Sequence, residues 1–171
     1  RFMFWFGGPI GLKDVCLRCD DLDNSLSNMK QLGMGVTPAL SFSRQRADGE
    51  IASWRLGAPS DRALPFLIED ITPVQIRVPF KDACEHENGA LGISAIVMEA
   101  KIARQLIEKV QPSFKNTLNN SDANLCDVKV RNVSGQPVSN LALELLTAGK
   151  IKINLPMALT SNAAISLVGG P

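Results

Sequence analysis

The chain has 171 residues, 45% of them hydrophobic and 20% charged, with 18 Lys and Arg against 17 Asp and Glu and a formal net charge of +1. That length suits one medium domain or two small modules around a packed core. A balanced charge without a dense Lys/Arg cluster argues against nucleic acid as a partner, and no apolar run is long enough to cross a membrane as a helix.

In chain order, Phe2, Phe4 and Phe6 alternate around Trp5 and predict an aromatic N-terminal strand. The stretch lacks the charged region, sustained apolar run and small-residue cleavage site of a signal peptide. Residues 11–19 read as a strand. Residues 20–32 read as an amphipathic helix, with Leu22, Leu26, Met29 and Leu32 at helical spacing, Asp20 or Asp21 as N-cap and Gly33 as the stop.

Residues 40–79 are the densest run of strand and turn signals. Asp48-Gly49 predicts a hairpin. Leu40, Phe42, Arg44 and Arg46 precede it on one parity. After it, Ile51, Ser53 and Arg55 share one face, and Ala52, Trp54 and Leu56 the other. A turn over 57–61 leads to a short apolar strand over 64–68, closed by Glu69-Asp70. The order is strand, helix, then three strands.

Residues 72–87 read as a connector holding Pro73, Pro79 and the single histidine, His86. A second, looser unit then predicts a strand over 93–99, a helix over 101–110 ended by Gln111-Pro112, and a polar loop over 115–124. Strands over 126–133, 141–146 and 151–155 follow, with a turn over 134–137. Residues 162–171 are either a last strand or a loose end. The expected domains are 1–80 and 88–171.

As a set, residues 11–26, Arg44-Gln45-Arg46-Ala47-Asp48-Gly49, Trp54-Arg55, Pro65-Phe66-Leu67-Ile68 and His86-Glu87-Asn88-Gly89 resemble the glyoxalase-like branch of the vicinal oxygen chelate (glyoxalase/bleomycin resistance/dioxygenase) superfamily. The resemblance covers roughly residues 5–110. It implies an α+β fold of βαβββ modules with a curved mixed or antiparallel sheet around a cleft. Members usually begin with a complete first module, so this chain is expected to start just after one, with that module missing or truncated. The superfamily includes lyases, isomerases, ring-cleaving dioxygenases and metal-free binding proteins, so the fold does not fix a reaction.

The resemblance also implies metal positions, a His on a module's first strand and a Glu on its last. Asp14 and Ala95 stand at the two His positions and Glu69 at a Glu position. One histidine cannot supply two ligands, so neither metal nor other cofactor is expected. Asp14 with Glu69 would hold Mg2+ weakly at best; otherwise Asp14 pairs with a basic neighbour or caps a turn.

The cysteines support the same view. Cys16 and Cys19 form a Cys-x2-Cys pair, but there is no second pair, and residues three apart on a strand point to opposite faces. Free thiols, with Cys84 and Cys126 isolated, fit a reducing, cytoplasmic setting.

Candidate ligand-binding residues are Arg44, Arg46, Trp54 and Arg55. Guanidinium groups facing a cleft would bind a carboxylate or phosphate bidentately. The alternative pairs them with Glu50, Asp61 or Glu69, and places Trp54 in the core. Glu69 and His86 are the candidate catalytic residues, His86 as general base or as a connector residue held by hydrogen bonds.

Three functions stand at this point. The first is a protein binding a small anionic metabolite without a metal. The second is an active lyase, isomerase or dioxygenase. The third is a protein-interaction module whose exposed sheet completes a partner's cleft, as a homodimer or with the missing first module; self-association would run through the aromatic N-terminal strand.

Overall fold

The computed structural model describes residues 12–78, 85–87, 89–98, 105, 108, 110, 129–132, 141–147, 153–154 and 164–169. The aromatic segment around Phe2, Phe4 and Phe6, most of the helix expected over 101–110, the loop over 115–124 and the turn over 134–137 lie outside the described residues. The chain divides into two compact units. One comprises Asp14–Phe80 and Arg104–Leu125, the other Arg1–Lys13, Lys81–Ala103 and Cys126–Pro171.

The first unit holds β1 (Cys16–Arg18), α1 (Leu22–Gln31), β2 (Leu40–Gln45), β3 (Ile51–Gly57), β4 (Phe66–Asp70) and the one-turn α2 (Val74–Arg77). Its sheet order is β1-β4-β3-β2. β1 runs parallel to β4, and the remaining pairs are antiparallel. This is the α+β, βαβββ arrangement expected from the alternation of periodicities.

α1 starts where Asp21 accepts a hydrogen bond from the Asn24 amide at 2.9 Å. That bond satisfies one of the helix's orphan donors. The helix ends at Gly33, whose φ of 78° suits a residue without a Cβ. Leu22, Ser25, Leu26 and Met29 form its buried face. They meet Leu17 and Leu67, buried on the facing strands. Each fully buried Leu or Met contributes roughly 1.5–3 kcal/mol. A Cβ on Gly57 would lie 2.7 Å from Leu26 Cδ1. Helix and sheet therefore approach closely because that strand position is glycine.

The β2–β3 hairpin closes through a three-residue loop, Ala47-Asp48-Gly49. Arg46 donates its amide to Glu50 O at 2.8 Å, and Gly49 its amide to Arg46 O at 3.1 Å. Gly49 has φ 89°, the left-handed position of such loops. The loop sets the register that places Phe42 opposite Trp54.

Two strand boundaries differ from the sequence reading. β1 is confined to Cys16–Arg18, within the strand expected over 11–19. β4 spans Phe66–Asp70 rather than 64–68. Pro65 has no N–H for a ladder, and the Leu64 amide already closes a turn on Asp61 O at 3.3 Å. Glu69 and Asp70 stay within the strand because each finds a cation, as described below.

The second unit holds β5 (Ala90–Met98), β6 (Lys129–Asn132), β7 (Leu141–Thr147), β8 (Ile153–Asn154) and β9 (Ala164–Gly169). Their order is β6-β5-β7-β9-β8. Each of the expected strands over 93–99, 126–133, 141–146 and 151–155 has a strand among its described residues, and so does the tail, in β9. The order does not repeat that of the first sheet. β5 has β6 and β7 as neighbours, and β7 lies parallel to β9.

Candidate functional site

Strand alternation sorts the first sheet's side chains onto two faces. Register puts Leu17, Leu67, Gly57, Glu69, Arg55 and Ser53 on the face that α1 covers. Cys16, Ile68, Asp70, Leu56, Trp54, Ala52, Phe42 and Arg44 share the other.

Arg55 therefore lies on the helix-covered face, against the expectation that it faces a ligand. Its Nη2 donates to Asp23 Oδ1 at 2.8 Å, and its Nη1 to Asp23 Oδ2 at 2.9 Å and Glu69 Oε2 at 3.1 Å. Asp23 sits in the first turn of α1. The hydrogen bonds from Arg55 hold Asp23 below its ordinary 3.8, and the same bonds raise the Arg55 pKa. The two carboxylates occupy the terminal nitrogens, so this group clamps the helix start to β3 and β4. Glu69 is only 16% exposed and accepts from Arg55 rather than facing solvent.

The opposite face is different. Phe42 and Trp54 stack as a cross-strand pair with centroids 6.3 Å apart and planes 14° apart. Trp54 is half-buried and not core, and Phe42 and Leu40 beside it are 40% and 60% exposed. At one end stands Arg77 of α2, bonded through Nε to Asp70 Oδ1 and through Nη2 to Asp70 Oδ2 at 2.9 Å. Asp70 is 7% exposed, and its bonds raise the Arg77 pKa. Arg44 donates through Nη2 to Arg77 O at 3.2 Å, and Arg46 through Nη1 to Ile76 O at 3.2 Å. Arg46 also pairs with Asp48 at 2.8 Å and Glu50 at 3.6 Å. Each guanidinium carries five donors, so one carbonyl leaves donors over.

Both described cysteines are free, Cys16 exposed and Cys19 buried, as their opposed strand positions require. Surrounding protein desolvates both thiols and pushes each up to about 12; Arg77 opposes the shift at Cys16, and a hydrogen bond with Ser25 opposes it at Cys19. Neither forms an appreciable thiolate at neutral pH.

His86 belongs to the second unit. Its carbonyl accepts the Gly89 amide at 2.8 Å, and residues 85–87 are exposed. Glu69 is on the helix-covered face of the first unit, so its geometry lends no support to a catalytic role. Asp70, Arg77 and Phe42 were not singled out from the sequence as site residues. The parity that groups Phe42 with Arg44 was available there. Arg77 follows a proline turn with no periodic signal.

A family model described as a glyoxalase-like domain matches residues 5–114. No curated protein matches the chain. Among solved structures the chain is similar to a hypothetical protein from Staphylococcus aureus. The TM-score is 0.66 at 14% identity, over 92% of this chain and 66% of that one. The chain thus spans just under two thirds of that protein's length, and the likeness is one of fold.

The metal positions of the superfamily do not fit a shared ion here. Glu69 is committed to Arg55 on the face that α1 covers. Asp14 instead accepts the Val15 amide at 2.9 Å. Among the described residues no group of three or more His, Cys, Asp or Glu side chains is placed to hold a metal.

Proposed function

The chain belongs to the glyoxalase-like domain family, matched over most of its length, and from that premise we propose that it binds a small organic carboxylate on the face of the β1–β4 sheet opposite α1, without a metal. The observation that carries this reading is the placement of a stacked Phe42–Trp54 pair and the Arg44 guanidinium on one face. An aromatic surface takes the apolar body of a metabolite, and a guanidinium takes its carboxylate with geometric selectivity. The Arg55 side is less suited, because its nitrogens already serve Asp23 and Glu69.

Titration calorimetry with a panel of small mono- and dicarboxylates, succinate among them, tests the proposal. Binding should weaken about tenfold, equivalent to ~1.4 kcal/mol, in Trp54→Ala and in Arg44→Gln. Absence of heat from every acid, or unchanged affinity in both variants, would contradict it.

Association with a second copy belongs to the same proposal. Leu91 and Ile93 of β5 are large apolar residues left exposed. Sedimentation velocity at micromolar concentration should show a dimer; a monomer throughout would remove this part. The free thiols of Cys16 and Cys19 support a cytoplasmic setting. Among the described residues no helix is long and apolar enough to cross a membrane.

A further inference from the structure

The segment after β4 is held to the sheet in two different ways. Its root is fixed: Ile71 and Thr72 donate their amides to Ser53 O at 3.0 and 3.2 Å, and Ser53 donates its amide to Thr72 Oγ1 at 3.0 Å. Beyond Pro73 the anchoring changes character. In α2, Val74, Ile76 and Arg77 are half-buried and Gln75 is exposed. Three arginines carry the polar contacts of this turn to the sheet: Arg77 on Asp70, Arg44 on Arg77 O and Arg46 on Ile76 O. Arg44 lies on the face proposed to bind a carboxylate, and Arg46 follows it two residues on.

We propose that residues 73–78 form a strap that carboxylate binding loosens, pivoting on the Arg77–Asp70 pair. The proposal rests on the binding reading above. The Arg77 and Ile76 carbonyls are neutral acceptors 3.2 Å from their donors. A carboxylate accepts the same N–H groups in charge-assisted bonds that are shorter and roughly twice as strong. Arg46 keeps its 2.8 Å contact with Asp48 when it changes partner, so its guanidinium stays in place. No side chain of α2 is fully buried, so the Arg44 and Arg46 bonds are a substantial part of what holds the turn down, while the Arg77–Asp70 pair stays as its pivot. Coupling of this kind is reciprocal, so whatever loosens the strap strengthens binding.

Hydrogen exchange reads the strap directly. The Ile76 and Val78 amides close its turn on Pro73 O and Val74 O at 2.9 and 2.8 Å. Saturating succinate, against sodium chloride at matched ionic strength, should speed their exchange about tenfold, as expected when a closed turn opens locally. The β3 amides should keep their rates. The Arg44→Gln, Arg46→Gln double variant should exchange fast without succinate and gain nothing from it. Pro73→Gly adds freedom to the loosened strap and should tighten succinate binding by about two- to fivefold. If calorimetry shows succinate binding while strap exchange stays constant or slows, the strap is overturned and the binding reading survives. Should another acid of the panel bind in place of succinate, the exchange is read with that acid; if no acid of the panel gives heat, both fall.

Discussion

Arg55 commits its terminal nitrogens to Asp23 and Glu69, which makes it a fastener between α1 and the sheet. Arg55→Met would leave Glu69 half-buried beside no cation, and should cost about 1–2 kcal/mol in urea unfolding. Carboxylate affinity should be unaffected, because the proposed site is on the other face. The sign of the acid response follows from Asp23. Its folded pKa lies below the ordinary 3.8, so the unfolded chain takes up the proton first. The pair's contribution is complete above 3.8 and is lost as pH falls through the lower, folded value. The stability difference between wild type and Asp23→Asn should therefore be present at neutral pH and shrink in strong acid, as read from urea midpoints. The cysteines give a second check at this scale. Thiols pushed up to about 12 from 9.0 carry far less thiolate. Cys19, which is buried, should alkylate at least about a hundredfold more slowly in the folded chain than in urea, by peptide mapping. The faces of individual residues were legible from parity, which separated Arg55 from Trp54. The partners were not, because Asp23 and Asp70 reach their arginines only through tertiary contacts.

Among the elements, α1 was the most legible, since its cap, stripe and stop are all local signals. Asp21→Ala should cost about 1 kcal/mol through the lost cap. Its docking depends on a residue with no periodic signature. Gly57→Ala would set a Cβ 2.7 Å from Leu26 Cδ1 and 3.2 Å from Leu22 Cδ1. Those leucines are buried, so repacking should cost about 1–3 kcal/mol in thermal or urea unfolding. β4 was misplaced by two residues because its apolar run begins before Pro65, whereas hydrogen bonding begins after it. The acidic pair at its end looked like a stop signal; Arg55 and Arg77 turn it into strand. The four residues of α2 follow a proline and lack a helical stripe, so the sequence marks them only as connector.

At the scale of the molecule, the order of elements in the first unit and the family were both readable, because hairpin loop, strand parity and helix stripe agree. The second sheet was read as strands but not as an order. β5 neighbours β6 and β7, and β7 neighbours β9, pairings that join segments far apart in sequence and leave no local trace. The central claim is that carboxylates are met on the face opposite α1. Backbone and indole amide shift mapping by NMR during a succinate titration tests it most directly. The Trp54 indole N–H and the amides of α2 should shift together with one affinity, while those of α1 and the Arg55 side-chain signals stay fixed. Shifts confined to α1 and Arg55 would contradict it.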